Sequence, residues 1–230
     1  MSKEVILKIK NAEVIKENTM PNISVSLKNV GDTKNIIDIQ DVNAARELEQ
    51  SLSSLYSAEM LDYLEELREI IEDISSVLNI SMGEIELYEP SDMPTPTTAA
   101  AISNTTDSIM LNVEVFNPDR GIELYQIFSL ANVIRMSWQQ RQGKLNLLRV
   151  KASNDCSISE YNSQKFQIDA HAFAYLYLLA FYDESEYDKV YGFFLNFVSN
   201  ISSDKASFEL VINRIMNRAE YILRTEQNLF

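Results

Sequence analysis

The sequence predicts an α+β protein that is mainly α-helical, and three observations indicate this class. The 230 residues include only 5 Gly and 5 Pro, the residues that most often interrupt helices. Apolar residues alternate with polar ones at the beginning of the chain, as in half-buried strands. Through most of the remainder they recur at spacings of three and four, as in helices. We therefore expect a small antiparallel N-terminal sheet and a helical core that carries a short sheet of its own.

Residues 1–40 are predicted to form the N-terminal hairpin or sheet element. Apolar residues alternate along 5–9 and again along 23–27, and the sequence NTMPN at 18–22 supplies a turn between them. A third short strand is predicted at 35–39. Because a sheet of this size is marginally stable alone, we expect it to pack on the rest of the chain or to pair with a partner.

Residues 41–79 are predicted to form an acidic helical segment. The apolar spacing is helical before and after Ser57, which is expected to cap the second of two helices or to mark a kink. The outer face of the second helix carries six carboxylates, relieved only by Arg68. These candidate partner-binding residues are Asp62, Glu65, Glu66, Glu69, Glu72 and Asp73. Several are like charges one turn apart, which destabilise a helix mildly, so this face either lies in solvent or meets a basic partner.

Residues 80–230 are predicted to form one domain. Strands are expected at 84–88 and 108–116, on either side of a loop rich in Pro and Thr. The apolar face of the second strand is expected to lie against a helix at 123–140, with Asp119 as the cap of that helix. Apolar periodicity then predicts three more helices, which span about 160–182, 186–198 and 205–224.

Two runs in these helices carry a pattern known from metallopeptidases. The helix at 123–140 contains LANVIRMSWQ, and the helix at 160–182 contains QIDAHAFA. The pair resembles the active-site frame of ImmA/IrrE-like minimal zinc metallopeptidases (zincins). In that family the first helix carries HExxH, often within LAHELRHAWQ, and the second carries a pattern such as ExxANxFA. The resemblance covers residues 80–182 and implies that 80–230 is a zincin-like helical domain.

The positions that carry the chemistry of that family are replaced here. Asn132 and Met136 stand where the two His ligands would be, Val133 stands at the general base, and Gln167 stands at the ligand Glu. An amide is a poor zinc ligand and a thioether binds zinc weakly. The resemblance therefore implies a degenerate metallopeptidase with no metal, no cofactor and no catalytic residue, whose vacated cleft is either a filled pocket or a recognition groove. The alternative is an unrelated helical core, which would show the same apolar stripe along the helix at 123–140.

Two residues with reactive side chains are expected to be structural. His171, the single histidine, lies between two alanines on an apolar helix, where a hydrogen-bonded structural role is expected rather than metal binding. Asp169 lies on a different face of that helix and is not expected to form a chelating pair with it. Cys156, the single cysteine, lies in a polar stretch, where a surface thiol is expected rather than a nucleophile.

The chain is expected to be cytoplasmic. Its start, MSKEVILKIK, lacks the apolar core of a signal peptide. The longest apolar run, at 172–182, is shorter than a membrane span. We therefore expect no membrane partner. A single cysteine cannot form a disulfide within the chain, which agrees with a cytoplasmic location.

The formal net charge of −14 argues against direct binding to nucleic acid, because the phosphate backbone needs a basic surface. The charge indicates solubility, an acidic surface for a basic protein partner, or mimicry of nucleic acid toward such a partner. Arg214 and Arg218, one turn apart on the last helix, are expected to complement the acidic helix, most simply within the chain and otherwise across a dimer.

These observations predict a non-catalytic protein-binding module, a pseudo-metallopeptidase that is a monomer or a homodimer. Relatives of this kind are common on phages and mobile elements, so the resemblance implies a regulator or inhibitor of another protein. One alternative is an acidic, nucleic-acid-mimicking inhibitor of a host nuclease or defence effector, as anti-CRISPR proteins are. The others are a hydrolase with an unrecognised site and a helical adaptor that dimerises through 41–79. The chain has no glycine-rich phosphate loop and no nucleophile elbow to support the hydrolase.

Overall fold

The computed structural model describes residues 4–8, 24–28, 35–36, 58–103, 108–144 and 155–226. Within these ranges the chain is mainly helical and carries two small sheets, so the predicted α+β, mainly helical class is confirmed. None of the helices in the described ranges combines the length and the apolar character that a membrane crossing needs.

The N-terminal sheet is antiparallel, as predicted. Its strands follow the order β1-β2-β3, and Ile6 lies opposite Ser26 in the first pair. The strand bounds are Glu4–Lys8 (β1), Ser24–Lys28 (β2) and Asn35–Ile36 (β3). The predicted turn at 18–22 and the rest of the predicted third strand lie outside the described residues.

The first described helix, α1, spans Ala58–Val77. Its apolar residues at spacings of three and four are buried, and Leu67 and Ile74 are fully inaccessible. The predicted helix of this segment is therefore confirmed, whereas residues 41–57, including the proposed cap Ser57, lie outside the described residues. Because α1 buries its apolar stripe against the other helices, it belongs to the same hydrophobic core as they do.

The second sheet is mixed and has the order β4-β6-β5. Strand β4 runs parallel to β6, and β5 runs antiparallel to β6. The strand bounds are Ile85–Tyr88 (β4), Ala100–Ile102 (β5) and Ile109–Asn112 (β6). Strand β5 was not predicted, because its sequence AAI contains two alanines, which have little preference for strands.

The predicted strand at 108–116 is too long, because Asn112 ends it with a turn. The Asn112 carbonyl accepts hydrogen bonds from the backbone N–H groups of Val115 (3.0 Å) and Phe116 (2.8 Å). Its side-chain oxygen accepts from the N–H of Glu114 (3.0 Å), and its amide nitrogen donates to the carbonyl of Thr98 (3.1 Å). The chain therefore turns away from the sheet four residues earlier than the apolar alternation indicated.

Helix α2 spans Leu124–Arg141, and the cap predicted for it at Asp119 is wrong. Asp119 belongs to a separate 3-10 turn, where its N–H donates to the side chain of Asn117 (3.0 Å). Glu123 caps α2 instead, through a reciprocal capping box with Gln126. Gln126 also donates to the hydroxyl of Tyr63 (3.1 Å), which ties the start of α2 to α1.

The predicted helix at 160–182 is two helices. Ser157 and Glu160 form a capping box that starts a short helix, and the extended backbone of Gln164 starts the next one. The bounds are Ile158–Asn162 (α3) and Lys165–Phe181 (α4). Helix α4 is buried on every side from Phe166 to Leu178, as its sequence predicts. The last two predicted helices are confirmed as α5 and α6, which span Tyr187–Ile201 and Lys205–Thr225.

A buried ion cluster joins α2, α4 and the end of α6. The guanidinium of Arg135, a fully buried residue on α2, donates to Asp169 (2.8 Å) and to Glu226 (2.9 Å). Asp169 also accepts from Arg218, so Arg218 serves this cluster and not the acidic helix that it was expected to complement. The Arg135 guanidinium lies 3.9 Å from the centre of the Trp138 ring, which covers one of its faces.

The pKa values of the cluster favour its charged form. Burial by itself raises the pKa of Asp169, but the hydrogen bonds and charges of Arg135 and Arg218 outweigh that effect, so the pKa lies below its ordinary value. Burial likewise opposes the charge of Arg135, but Asp169 and Glu226 raise its pKa above the ordinary value. Each ion is therefore charged because its partners are in place.

Removal of Arg135 should destabilise the chain strongly. Arg135→Met leaves Asp169 with less compensation in the interior, and breaking a buried pair costs about 3–5 kcal/mol. The matched control is Arg68→Met, because Arg68 makes its ion pairs with Glu65 and Glu72 on the exposed face of α1 and should contribute at most about 1 kcal/mol. Urea unfolding near pH 7 measures both. Equal losses would contradict the structural role of the cluster.

Candidate functional site

A cavity of about 640 Å³ lies between α2, α4 and β5, with α3 and α5 at its side. This volume lies within the range of small-molecule sites. Helices α2 and α4 form two walls because they pack directly against each other, and the residues 99–102 of β5 form a third. The Thr-rich segment before β5 and the aromatic ring of Phe197 complete the lining.

The four positions singled out by the zincin resemblance all line this cavity. They are Asn132, Val133, Met136 and Gln167. Asn132 and Met136 lie one turn apart on α2, and the amide nitrogen of Gln167 on α4 approaches the sulfur of Met136 to 3.5 Å. Gln167 and Val133 are buried, and the other two are half-buried. The structure therefore brings the sequence-predicted site residues together.

His171 forms the polar floor of the cavity with two asparagines. Its Nδ1 lies 2.9 Å from the amide nitrogen of Asn132, and its Nε2 lies 3.0 Å from the side-chain oxygen of Asn162. Since an amide NH₂ group can only donate, Nδ1 is the acceptor and Nε2 carries the proton. Both ring nitrogens are used, as expected for a hydrogen-bonded structural histidine.

The surroundings of His171 keep its imidazole neutral. The ring stacks against Phe128, with centroids 5.9 Å apart, and meets the edge of Phe197 at 4.9 Å. Burial lowers the pKa of His171 to about 3. Asp169 is engaged by Arg135, Gln139 and Arg218 on the other side of α4, so it does not pair with His171. Among the described residues no group of three or more His, Cys, Asp and Glu is placed to hold a metal ion.

Sequence reasoning missed Asn162, Phe197 and β5 as parts of this site. Asn162 lies in α3, before the helix break, and no local pattern connects it to His171. Phe197 lies on α5, whose rotation about its axis depends on how that helix packs. Helix periodicity alone placed Asn132 and Met136 on one face, since residues four apart share a face of a helix. The resemblance added Val133 and Gln167.

The six acidic residues of α1 lie apart from the cavity, and none of them lines it. All six are exposed, as predicted. Arg68 bridges Glu65 and Glu72, and the hydroxyl of Tyr177 donates to Asp73 (2.6 Å). Burial and the neighbouring Asp73 carboxylate raise the pKa of Tyr177. The other three, which make no ion pair or hydrogen bond with any described residue, are Asp62, Glu66 and Glu69, and we call them the acidic stripe.

No protein-family model, no curated protein and no solved structure matches this chain. The likeness to ImmA/IrrE-like zincins therefore stays a prediction from two sequence runs. A zincin-like frame and an unrelated helical core both allow two facing helices. They differ in whether positions 132, 136 and 167 can surround one metal ion.

Restoring the ligands tests this difference. If the frame is zincin-like, Asn132→His, Met136→His and Gln167→Glu together place three donors around one Zn²⁺ ion. This variant should bind one equivalent of zinc at least about ten-fold more tightly than a two-histidine control on α1, Asp62→His with Glu66→His. Competition with a chromophoric chelator measures both affinities. Equal affinities would count against the resemblance.

The single histidine gives the chain a defined pH response. The folded pKa of His171 is about 3, below the unfolded value of about 6.5, so the unfolded state binds the extra proton between these values. The free energy of unfolding should therefore fall by about 2 kcal/mol from this residue as the pH drops from about 7 to about 5. His171→Gln should lack this contribution. Urea unfolding at both pH values compares the two proteins, and identical pH dependence would contradict the burial of a neutral imidazole.

Proposed function

We propose that this chain is a non-catalytic protein-binding module, a pseudo-metallopeptidase, which holds an extended segment of a partner protein along β5 with partner side chains in the cavity. The observation that carries the proposal is the position of an outer strand at the rim of a large cavity. The resemblance adds the setting, a cytoplasmic regulator or inhibitor from a phage or mobile element.

The backbone of β5 supports strand addition by a partner. The N–H of Asn112 donates to the carbonyl of Ala99, and the N–H of Ser103 donates to the carbonyl of Ser108. Residues at alternate positions of β5 therefore face β6, and the N–H and C=O groups of Ala100 and Ile102 face away from it. No other described strand pairs with that edge. An extended peptide gains main-chain hydrogen bonds at such an edge and places alternate side chains in nearby pockets.

The lining of the cavity supports binding without chemistry. The groups at the positions of the zincin ligands are an amide, a thioether and a second amide, and none of them transfers protons near neutral pH. His171, the one nearby imidazole, uses both ring nitrogens and has its pKa lowered to about 3 by burial. A general base for hydrolysis needs a pKa near the working pH. A bound segment would therefore be held intact.

The proposal is tested by blocking the cavity from its α2 wall. Ser129 is a half-buried residue of that wall, so Ser129→Trp fills space that partner side chains would occupy. Ser76→Trp, on the exposed side of α1, is the matched control. Random extended peptides displayed on phage are selected on the wild-type chain, and their affinities are measured by calorimetry. We expect binding that is unchanged by Ser76→Trp and at least about ten-fold weaker with Ser129→Trp, a loss of about 1.4 kcal/mol.

Two further outcomes and one control decide between this function and the alternatives. Selected peptides should be recovered uncleaved after long incubation, and cleavage would contradict the non-catalytic proposal. A selection whose peptides bind Ser129→Trp as well as wild type would contradict the role of the cavity. Circular dichroism and thermal unfolding of both Trp variants establish that a loss of binding reflects the blocked cavity and not loss of the fold.

An acidic, nucleic-acid-mimicking inhibitor is the second candidate, and the acidic stripe on α1 favours it. Its three unpaired carboxylates lie within about two turns on one helix face, exposed in a chain of net charge −14. The same selection includes Asp62→Lys, Glu66→Lys and Glu69→Lys together. Loss of binding in this variant, with Lys- and Arg-rich peptides among those selected, would support mimicry. Unchanged binding would show that the acidic stripe does not contribute to partner binding.

A further inference from the structure

A second cavity, of about 340 Å³, lies between the end of α2, the start of α4 and α6. Among the described residues it shares no lining with the first cavity, because it lies on other faces of α2 and α4. The described lining includes four cationic side chains, those of Lys144, Lys165, Arg214 and Arg218. Asp169 is the only carboxylate in that part of the lining.

Most of this positive charge has no carboxylate partner among the described residues. Asp169 is already occupied, since Arg135, Gln139 and Arg218 all donate to it. The other three cations, Lys144, Lys165 and Arg214, form no ion pair with any residue that the structure describes. A concentration of unpaired cations is unexpected in a chain with 34 acidic and 20 basic residues. Lys144 and Lys165 are exposed and Arg214 is half-buried, and a cavity lined by charges of one sign raises the local concentration of the opposite ion.

Each cation is positioned by a separate element. The Lys144 ammonium lies 4.0 Å from the centre of the Trp138 ring, which also covers a face of the Arg135 guanidinium. Lys165 is the first residue of α4, so the positive end of that helix dipole adds to the charge. Arg214 lies one turn before Arg218 on α6, and Arg218 is held by Asp169.

We propose that this second cavity binds the phosphate group of a small molecule, with Lys144, Lys165 and Arg214 as its ligands. A phosphate carries close to two negative charges near neutral pH and accepts several charge-assisted hydrogen bonds, which matches a set of unpaired cations better than a single carboxylate does. Nucleic acid fits poorly, because the net charge of −14 repels a long polyanion. The volume of about 340 Å³ matches that of a small-molecule site.

The single tryptophan reports on this site. Trp138 contacts Lys144 and is the only tryptophan of the chain. Its fluorescence is measured while inorganic phosphate or glycerol 3-phosphate is added at constant ionic strength. The test variant is Lys165→Gln with Arg214→Gln. The control, Lys189→Gln with Lys205→Gln, removes the same charge from exposed positions. We expect saturable binding that is at least about ten-fold weaker in the test variant, the loss of one charge-assisted hydrogen bond or more, and unchanged in the control.

The outcomes distinguish an organic phosphate, free phosphate and nucleic acid as ligands of this cavity. Tighter binding of glycerol 3-phosphate than of inorganic phosphate supports an organic phosphate as the ligand, and equal binding supports free phosphate. Arg214→Lys keeps the charge and should retain most of the affinity. No saturable signal, or equal binding by the test variant and the control, would overturn the site. Tighter binding of a short single-stranded oligonucleotide than of either phosphate would overturn its assignment to small molecules.

Discussion

The buried ion cluster around Arg135 sets the arrangement on which both cavities depend. A guanidinium without access to solvent is tolerated only where carboxylates surround it, and here they come from α4 and from the residue after α6. This requirement fixes the position of α2 against α4. Because Arg135 faces the cluster, Asn132 and Met136, which lie one turn apart on the same helix, face the first cavity. A shift of either helix by one residue would separate the charges and displace the cavity lining together.

The two cavities differ in how their polar groups are satisfied. In the first, both ring nitrogens of His171 are hydrogen-bonded to Asn132 and Asn162, so the imidazole needs no hydrogen bond from an occupant. Most of the remaining wall is available for apolar contact. In the second, the described lining carries more cations than anions, so the wall favours an anionic occupant. The first arrangement suits recognition by shape, which tolerates variation in the partner, whereas the second suits recognition of one chemical group.

Much of the fold followed from the sequence because helices repeat their signal over many residues. The stripes of α1 and α6 and the all-round apolar α4 are each supported by several turns of consistent spacing. The missed features depend on single residues or on distant partners. Strand β5 has only three residues, Asn112 stops its strand with side-chain hydrogen bonds that alternation does not record, and Glu123 caps α2 through a residue type that is not a preferred cap. The candidate site was predictable as two facing helix positions, but the contributions of Asn162 and Phe197 arise from tertiary packing.

The hydrogen bond between Arg135 and Glu226 spans 91 positions of the chain, and this separation has a consequence for synthesis. As the polypeptide leaves the ribosome, α2 and α4 emerge before the carboxylate that completes their buried charge, and α4 emerges before α5 and α6 can cover its apolar surface. Domains fold as units once their elements are present, and apolar surface exposed in the interval favours aggregation. The nascent chain therefore carries its most apolar helix uncovered until α5 and α6 have been synthesised, so a chaperone that shields helices on the ribosome would act on α4.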